Sequence, residues 1–250
     1  MRSAPGVLVE ACVDSVEACV AAERGGARRL ELCDSLVEGG TTPSPGMVAE
    51  CLKRVSIPIN VMIRPRGGEF LYSRHELAVM RRDIVAMKRL RVHGVVFGVL
   101  KPNGTIDTAR MKQLVRLARP LSVTCHRAID VTPDPIAALD TLIRLGVNRV
   151  LTSGQRETAL EGAGVIAALV ERSRGRIVIL AGCGVDGRNA RQLVHRTGVT
   201  EVHLRGTSRV KSGMRYRSRR VTFAPPGGSD YVRDVTDAKK IRAVARSLTP

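Results

Sequence analysis

Short apolar blocks alternate with longer amphipathic stretches along the whole chain, and this rhythm predicts its elements. Residues 7–12, 28–33, 57–64, 94–98, 121–126, 148–152, 176–181 and 200–204 have the length and apolar, often β-branched content of strands. Between and after them, helical patterns begin near Ser15, Pro45, Arg74, Thr108, Pro135, Glu157, Arg188 and Asp237. Some starts are written out in full. Ser73 followed three residues later by Glu76 is a capping box, and Asp134-Pro135 sets an N-cap before a proline at the first helical position. The third helical pattern places Leu77, Met80, Ile84, Met87 and Leu90 on one stripe. Arg81, Arg82, Lys88 and Arg89 fall largely elsewhere and read as a solvated face.

Strict alternation with mostly short connections calls for parallel strands. Eight repeats within 250 residues favour a single closed (β/α)8 TIM-type barrel spanning 1–250 over an open, doubly wound sheet. The hydrophobic fraction, 44%, is enough for a core built without disulfides. One connection breaks the rhythm. Residues 206–235 carry Arg209, Lys211, Arg215, Arg217, Arg219 and Arg220, then Pro225, Pro226, Gly227 and Gly228, and read as a long, mobile basic loop after strand eight.

Charge and cysteine usage narrow the setting. A net charge of +18 attracts phosphates, nucleic acids or acidic lipids without choosing among them. With three Tyr, three Phe and no Trp, stacking platforms for single strands are scarce, which argues against nucleic-acid binding as the main role. No apolar run reaches the ~18 residues of a membrane span, because Glu10, Asp14 and Glu17 interrupt the N-terminal candidate. Six cysteines with no secretory signal in view fit a reducing, intracellular compartment, cytoplasm or nucleus.

Side chains two apart on a strand share a face, so the strand ends can be sorted into inward and outward sets. Glu10 pairs with Cys12, Glu31 with Cys33, Met62 with Arg64, and Glu201 with His203 and Arg205. Cys12 and Cys33 end the matching segments Val9-Glu10-Ala11-Cys12 and Leu30-Glu31-Leu32-Cys33. Adjacent strands lie roughly 4.8 Å apart, so the two sulfurs come within reach of one soft ion such as Cu(I), with Met62 as a supplementary thioether. The plainer alternative is a pair of small buried hydrophobes. Cys19 and Cys51 follow core spacing on helices. Cys125 alternates out of phase with Thr124 and His126 and should face the helices.

Other strand-end groups suit a small anionic, even phosphorylated, metabolite. Arg64 and Arg66 sit in a glycine-bearing loop as anion clamps, and Gly182 and Gly184 flank Cys183 in a turn able to cradle an anion. Glu10, Glu31, His126 and His203 are the candidate acids and bases of a barrel enzyme.

The segments Glu10-Ala11-Cys12-Val13-Asp14-Ser15-Val16-Glu17, Leu30-Glu31-Leu32-Cys33, Glu38-Gly39-Gly40-Thr41-Thr42-Pro43-Ser44 and Val61-Met62-Ile63-Arg64-Pro65-Arg66-Gly67-Gly68 resemble the CutC copper homeostasis family over nearly the whole chain. That resemblance implies the α/β barrel, intracellular copper handling and a homo-oligomer, dimer or tetramer. It also implies that Cys12 and Cys33 stand where copper-binding cysteines of animal members stand. The chain departs from the family pattern at Glu69, Cys125, Ala181-Gly182-Cys183-Gly184 and Leu204-Arg205-Gly206-Thr207-Ser208, where only His203 of the strand-eight motif is kept.

Overall fold

The computed structural model describes residues 6–218, 220–224 and 227–249. Arg219, Pro225 and Pro226 of the basic connection lie outside the described residues. Eight parallel strands form a closed barrel in chain order: β1 (Leu8–Val13), β2 (Arg29–Leu32), β3 (Ile59–Met62), β4 (Gly94–Val96), β5 (Ser122–Cys125), β6 (Arg149–Thr152), β7 (Val178–Gly182) and β8 (Glu201–Leu204). Closure comes from β8 pairing with β1 in the register Leu8↔Glu201 through Ala11↔Leu204. The outer helices are α1 (Val16–Gly25), α2 (Pro45–Arg54), α3 (Arg74–Arg89), α4 (Thr108–Ala118), α5 (Pro135–Leu145), α6 (Ala163–Ser173), α7 (Ala190–Thr197) and α8 (Ala238–Ser247).

Local sequence explains where most helices start. Ser73 Oγ accepts from Glu76 N–H while the Glu76 carboxylate accepts from Ser73 N–H, completing the predicted capping box of α3. Asp134 accepts from the amides of Ile136 and Ala137 ahead of α5. The Leu77, Met80, Ile84 and Met87 stripe is buried as its spacing requires. α8 closes the helical ring by packing on α1, where a Cβ on Gly25 would lie 2.7 Å from that of Ile241.

Two segments differ from the sequence pattern. α6 begins at Ala163 rather than near Glu157. The intervening residues are held as an irregular loop: Gly154 and Gln155 take positive φ angles of 69° and 59°, and the Asp130 carboxylate accepts from the amides of Ser153 and Gln155. Gly162 lies so close to the Ser153 carbonyl that no side chain fits there. The basic connection is not featureless. Its ends form an antiparallel ribbon, β9 (Thr207–Lys211) with β10 (Val232–Thr236), in the register Thr207↔Thr236 to Lys211↔Val232. Arginines interrupt the apolar alternation there and conceal both strands from a pattern-based reading.

The apolar core lies between the strands and the helices, and contains Leu30, Ile59, Val95, Met80, Met111 and Leu139 among its members. Cys125 belongs to it, and so do Cys19 and Cys51, whose sulfurs meet 3.3 Å apart between α1 and α2. The inside of the barrel is different. Its inward-facing positions are largely polar: Glu10, Arg29, Glu31, Asn60, Arg64, Thr124, His126, Glu201 and His203 are all buried.

Candidate functional site

A four-membered ion network forms the floor of the site. Arg29 bridges two strands, its Nε donating to Glu10 and its Nη2 to Glu201, while Arg149 Nε donates to the same Glu201 oxygen. Two guanidinium groups thus offset two carboxylates in a compartment with little water, which is the condition under which buried charge is tolerated. Burial works against ionised Glu10, yet Arg29 and His203 hold its pKa at about 2. Burial likewise opposes ionised Glu201, and its bonds to Arg29 and Arg149 keep its pKa low.

From this floor a relay rises toward the C-terminal strand ends. The second oxygen of Glu10 lies 2.8 Å from His203 Nδ1, which donates to the carboxylate. His203 Nε2 is 3.7 Å from Glu31 Oε2. Burial would strip the His203 proton, but Glu31, Cys12 and Glu10 around the ring raise its pKa well above the ordinary value.

Above the relay sits the cysteine cluster. One ligand atom each from Cys12, Glu31 and Cys33 lies within 4.8 Å of the others. The barrel stagger pairs Cys12 with Glu31 rather than with Cys33, so Cys33 stands one inward step higher than the matching segments suggest. The sulfurs nonetheless face one another, and Met62, Val96 and Leu36 pack around them. The neighbouring Cys33 thiol, against burial and with the help of His203, draws the Cys12 pKa down to about 5. Cys33 is pushed well above its ordinary value by the same contact and by burial. Glu31 is also raised, by burial first, and its Oε1 has no hydrogen-bond partner among the described residues. Gly40 closes over the cluster with φ +91°, a backbone geometry glycine accepts without strain, and a Cβ there would stand 3.0 Å from Cys33 Sγ.

A cavity of about 560 Å³ opens above the cluster. Cys12, Glu31 and His203 line its base, and Arg64 and His126 are in its wall. Gly184 lines it too. Gly182 does not, packing instead against Leu151 and His203. Arg64 spends both terminal nitrogens on the carbonyls of Glu38, Gly40 and Gly68. Arg66 lies outside this cavity, paired with Glu69 and Glu76 and stacked on Tyr72. Arg29, Arg149 and Asp130 belong to the site's framework and are missing from the sequence-based set. Arg29 precedes Glu31 by two residues, so the alternation that selected Glu31 also reaches Arg29.

The sequence profile of the CutC family matches residues 7–208, a span that contains every group of the floor, relay and cluster. The chain belongs to the CutC family. The human copper homeostasis protein cutC homolog is 48% identical, with 98% of this chain and 92% of that protein covered. A CutC family protein of Parabacteroides distasonis is also 48% identical, over 94% of this chain and 98% of its own length. The crystal structure of CutC from Streptococcus agalactiae superposes with a TM-score of 0.75 at 36% identity, covering 79% of this chain and 97% of that one. Within this CutC chain, most of β9, together with β10 and α8, lies beyond the matched span.

Proposed function

We propose that this CutC protein acts in copper homeostasis by binding Cu(I) between the thiolates of Cys12 and Cys33 at the barrel mouth. The observation that carries this reading is the clustering of two buried sulfurs and a carboxylate within 4.8 Å, with Met62 packed beside them. Metal–thiolate bonds of ~2.3 Å let one ion span sulfurs up to ~4.6 Å apart, so the cluster has the right scale. Paired thiolates with a thioether select a soft monovalent ion over hard cations. The homologous human protein named for copper homeostasis supports the choice of metal.

The surrounding residues suit that role. Thiolate ligands must lose their protons on binding. Cys12 is disposed to do so at neutral pH, and the Cys33 thiol donates toward Glu31 Oε2 at 3.7 Å. Positively charged His203, anchored on Glu10, balances the excess negative charge of two thiolates around one monovalent ion. All six cysteines are free, in keeping with the reducing interior of a cell, and membership of the CutC family is our ground for inferring a homo-oligomer as the working form. The test is an anaerobic competition titration of the reduced protein against a Cu(I) chelator. One ion per chain is expected, with affinity lost in Cys12→Ser and in Cys33→Ser; unchanged affinity in both variants overturns the reading.

A further inference from the structure

The cavity above the cysteine cluster holds a donor that copper binding does not use. His126 follows β5 and is 4% exposed. Its Nδ1 accepts from the Ala128 amide at 3.2 Å, and the same edge of the ring packs on Gly98, where a Cβ would lie 2.8 Å from Cε1. An imidazole whose Nδ1 accepts carries its proton on Nε2. That Nε2–H finds no acceptor among the described residues, although the ring lines the cavity. Burial, with the Arg64 guanidinium nearby, holds the His126 pKa at about 3, so the ring is a neutral donor at physiological pH.

The donor is fixed in place. Phe70 packs on the His126 ring with centroids 4.6 Å apart, and Arg64 Cζ lies 5.3 Å from the Phe70 centroid. A buried neutral donor suits an uncharged oxygen, because a carbonyl needs a hydrogen bond but no counter-ion. Charge is supplied elsewhere on the cavity wall by Arg127 and Arg205. Arg127 also contacts Asp130 and Ser153, whereas exposed Arg205 has no carboxylate within ion-pair distance among the described residues. At about 560 Å³ the space is of metabolite size.

We propose that the mouth cavity binds a small anionic carbonyl compound, with its carbonyl oxygen on His126 Nε2–H and its carboxylate or phosphate toward Arg127 and Arg205. Its polar contacts, His126, Arg127 and Arg205, lie outside the cysteine cluster, so metal-free protein tests them apart from copper binding. The test uses metal-free, full-length protein and histidine-selective ¹⁵N NMR. At neutral pH His126 should be the Nε2–H tautomer. Titration with 2-oxoglutarate and with dihydroxyacetone phosphate separates the carboxylate from the phosphate source, and inorganic phosphate alone should leave Nε2 unmoved. The accepted probe should shift His126 Nε2, and Arg205→Ala should weaken it by about tenfold without changing the tautomer. His126→Phe should bind the oxo compound no better than its hydroxy analogue. An Nδ1–H tautomer, or no movement of Nε2 with either probe at about 10 mM, overturns the proposal.

Discussion

Replacing Arg29 by Met tests the charged floor of the barrel. Arg29 is 5% exposed and bridges Glu10 to Glu201, so an apolar side chain of similar length leaves Glu10 without its guanidinium partner and Glu201 with only Arg149. Breaking a buried ion pair by removing one partner typically costs about 3–5 kcal/mol. The depression of the Glu10 pKa from 4.5 to about 2, against burial, corresponds to about 3 kcal/mol at ~1.36 kcal/mol per pH unit and is shared between Arg29 and His203. For a chain of this length that loss lowers Tm by roughly 6–20 °C. The dependence on pH has a definite sign. A carboxylate whose pKa is depressed by folding stabilises the protein above its unfolded value, near 4.5, and that stability fades as pH falls toward 2. Glu201 is shifted in the same direction. The Arg29→Met penalty should therefore be full at pH 7 and shrink steadily below about pH 5. Urea unfolding and calorimetry of both proteins from pH 7 to pH 3 measure it. A loss under about 1 kcal/mol at pH 7, or a penalty that does not change with pH, refutes the network's role.

Two further substitutions probe the loops that frame the site. Gly40→Ala combines a positive φ with a methyl group 3.0 Å from Cys33 Sγ, and should cost about 1–3 kcal/mol while weakening Cu(I) binding; equal chelator competition in both proteins would show that Gly40 does not shape the cluster. Asp130 accepts from Thr152, Ser153, Gln155 and Arg127 with its side chain only 4% exposed, so Asp130→Ala should cost about 2–4 kcal/mol. Hydrogen exchange should speed up first at residues 153–157, and uniform exchange across the barrel would count against Asp130 as the anchor of that loop.

The fold was readable because barrel strands and helices differ in period, and because caps such as Ser73/Glu76 and Asp134-Pro135 mark helix starts by chemistry alone. Alternation also sorted Glu10, Glu31, His126 and His203 onto the inner face. It missed Arg29 and Arg149, since a charged residue at the beginning of a strand looks like a solvated end unless its phase is followed through the strand. The start of α6 was hidden for a different reason. Residues 153–162 are shaped by the Asp130 carboxylate, which arrives from after β5, and a contact so distant in sequence leaves no local signature. The same holds for the Cys12–Cys33 stagger: similar flanking residues suggest equal height, whereas barrel shear sets the register. The His126 tautomer rests on one backbone amide and needs coordinates to be seen.

Copper K-edge X-ray absorption on the anaerobic Cu(I)-loaded protein tests the proposed metal centre most directly. A first shell dominated by two sulfur scatterers is expected, with one sulfur lost in Cys12→Ser and one in Cys33→Ser. A first shell of nitrogen or oxygen, or a spectrum that either substitution leaves unchanged, contradicts it.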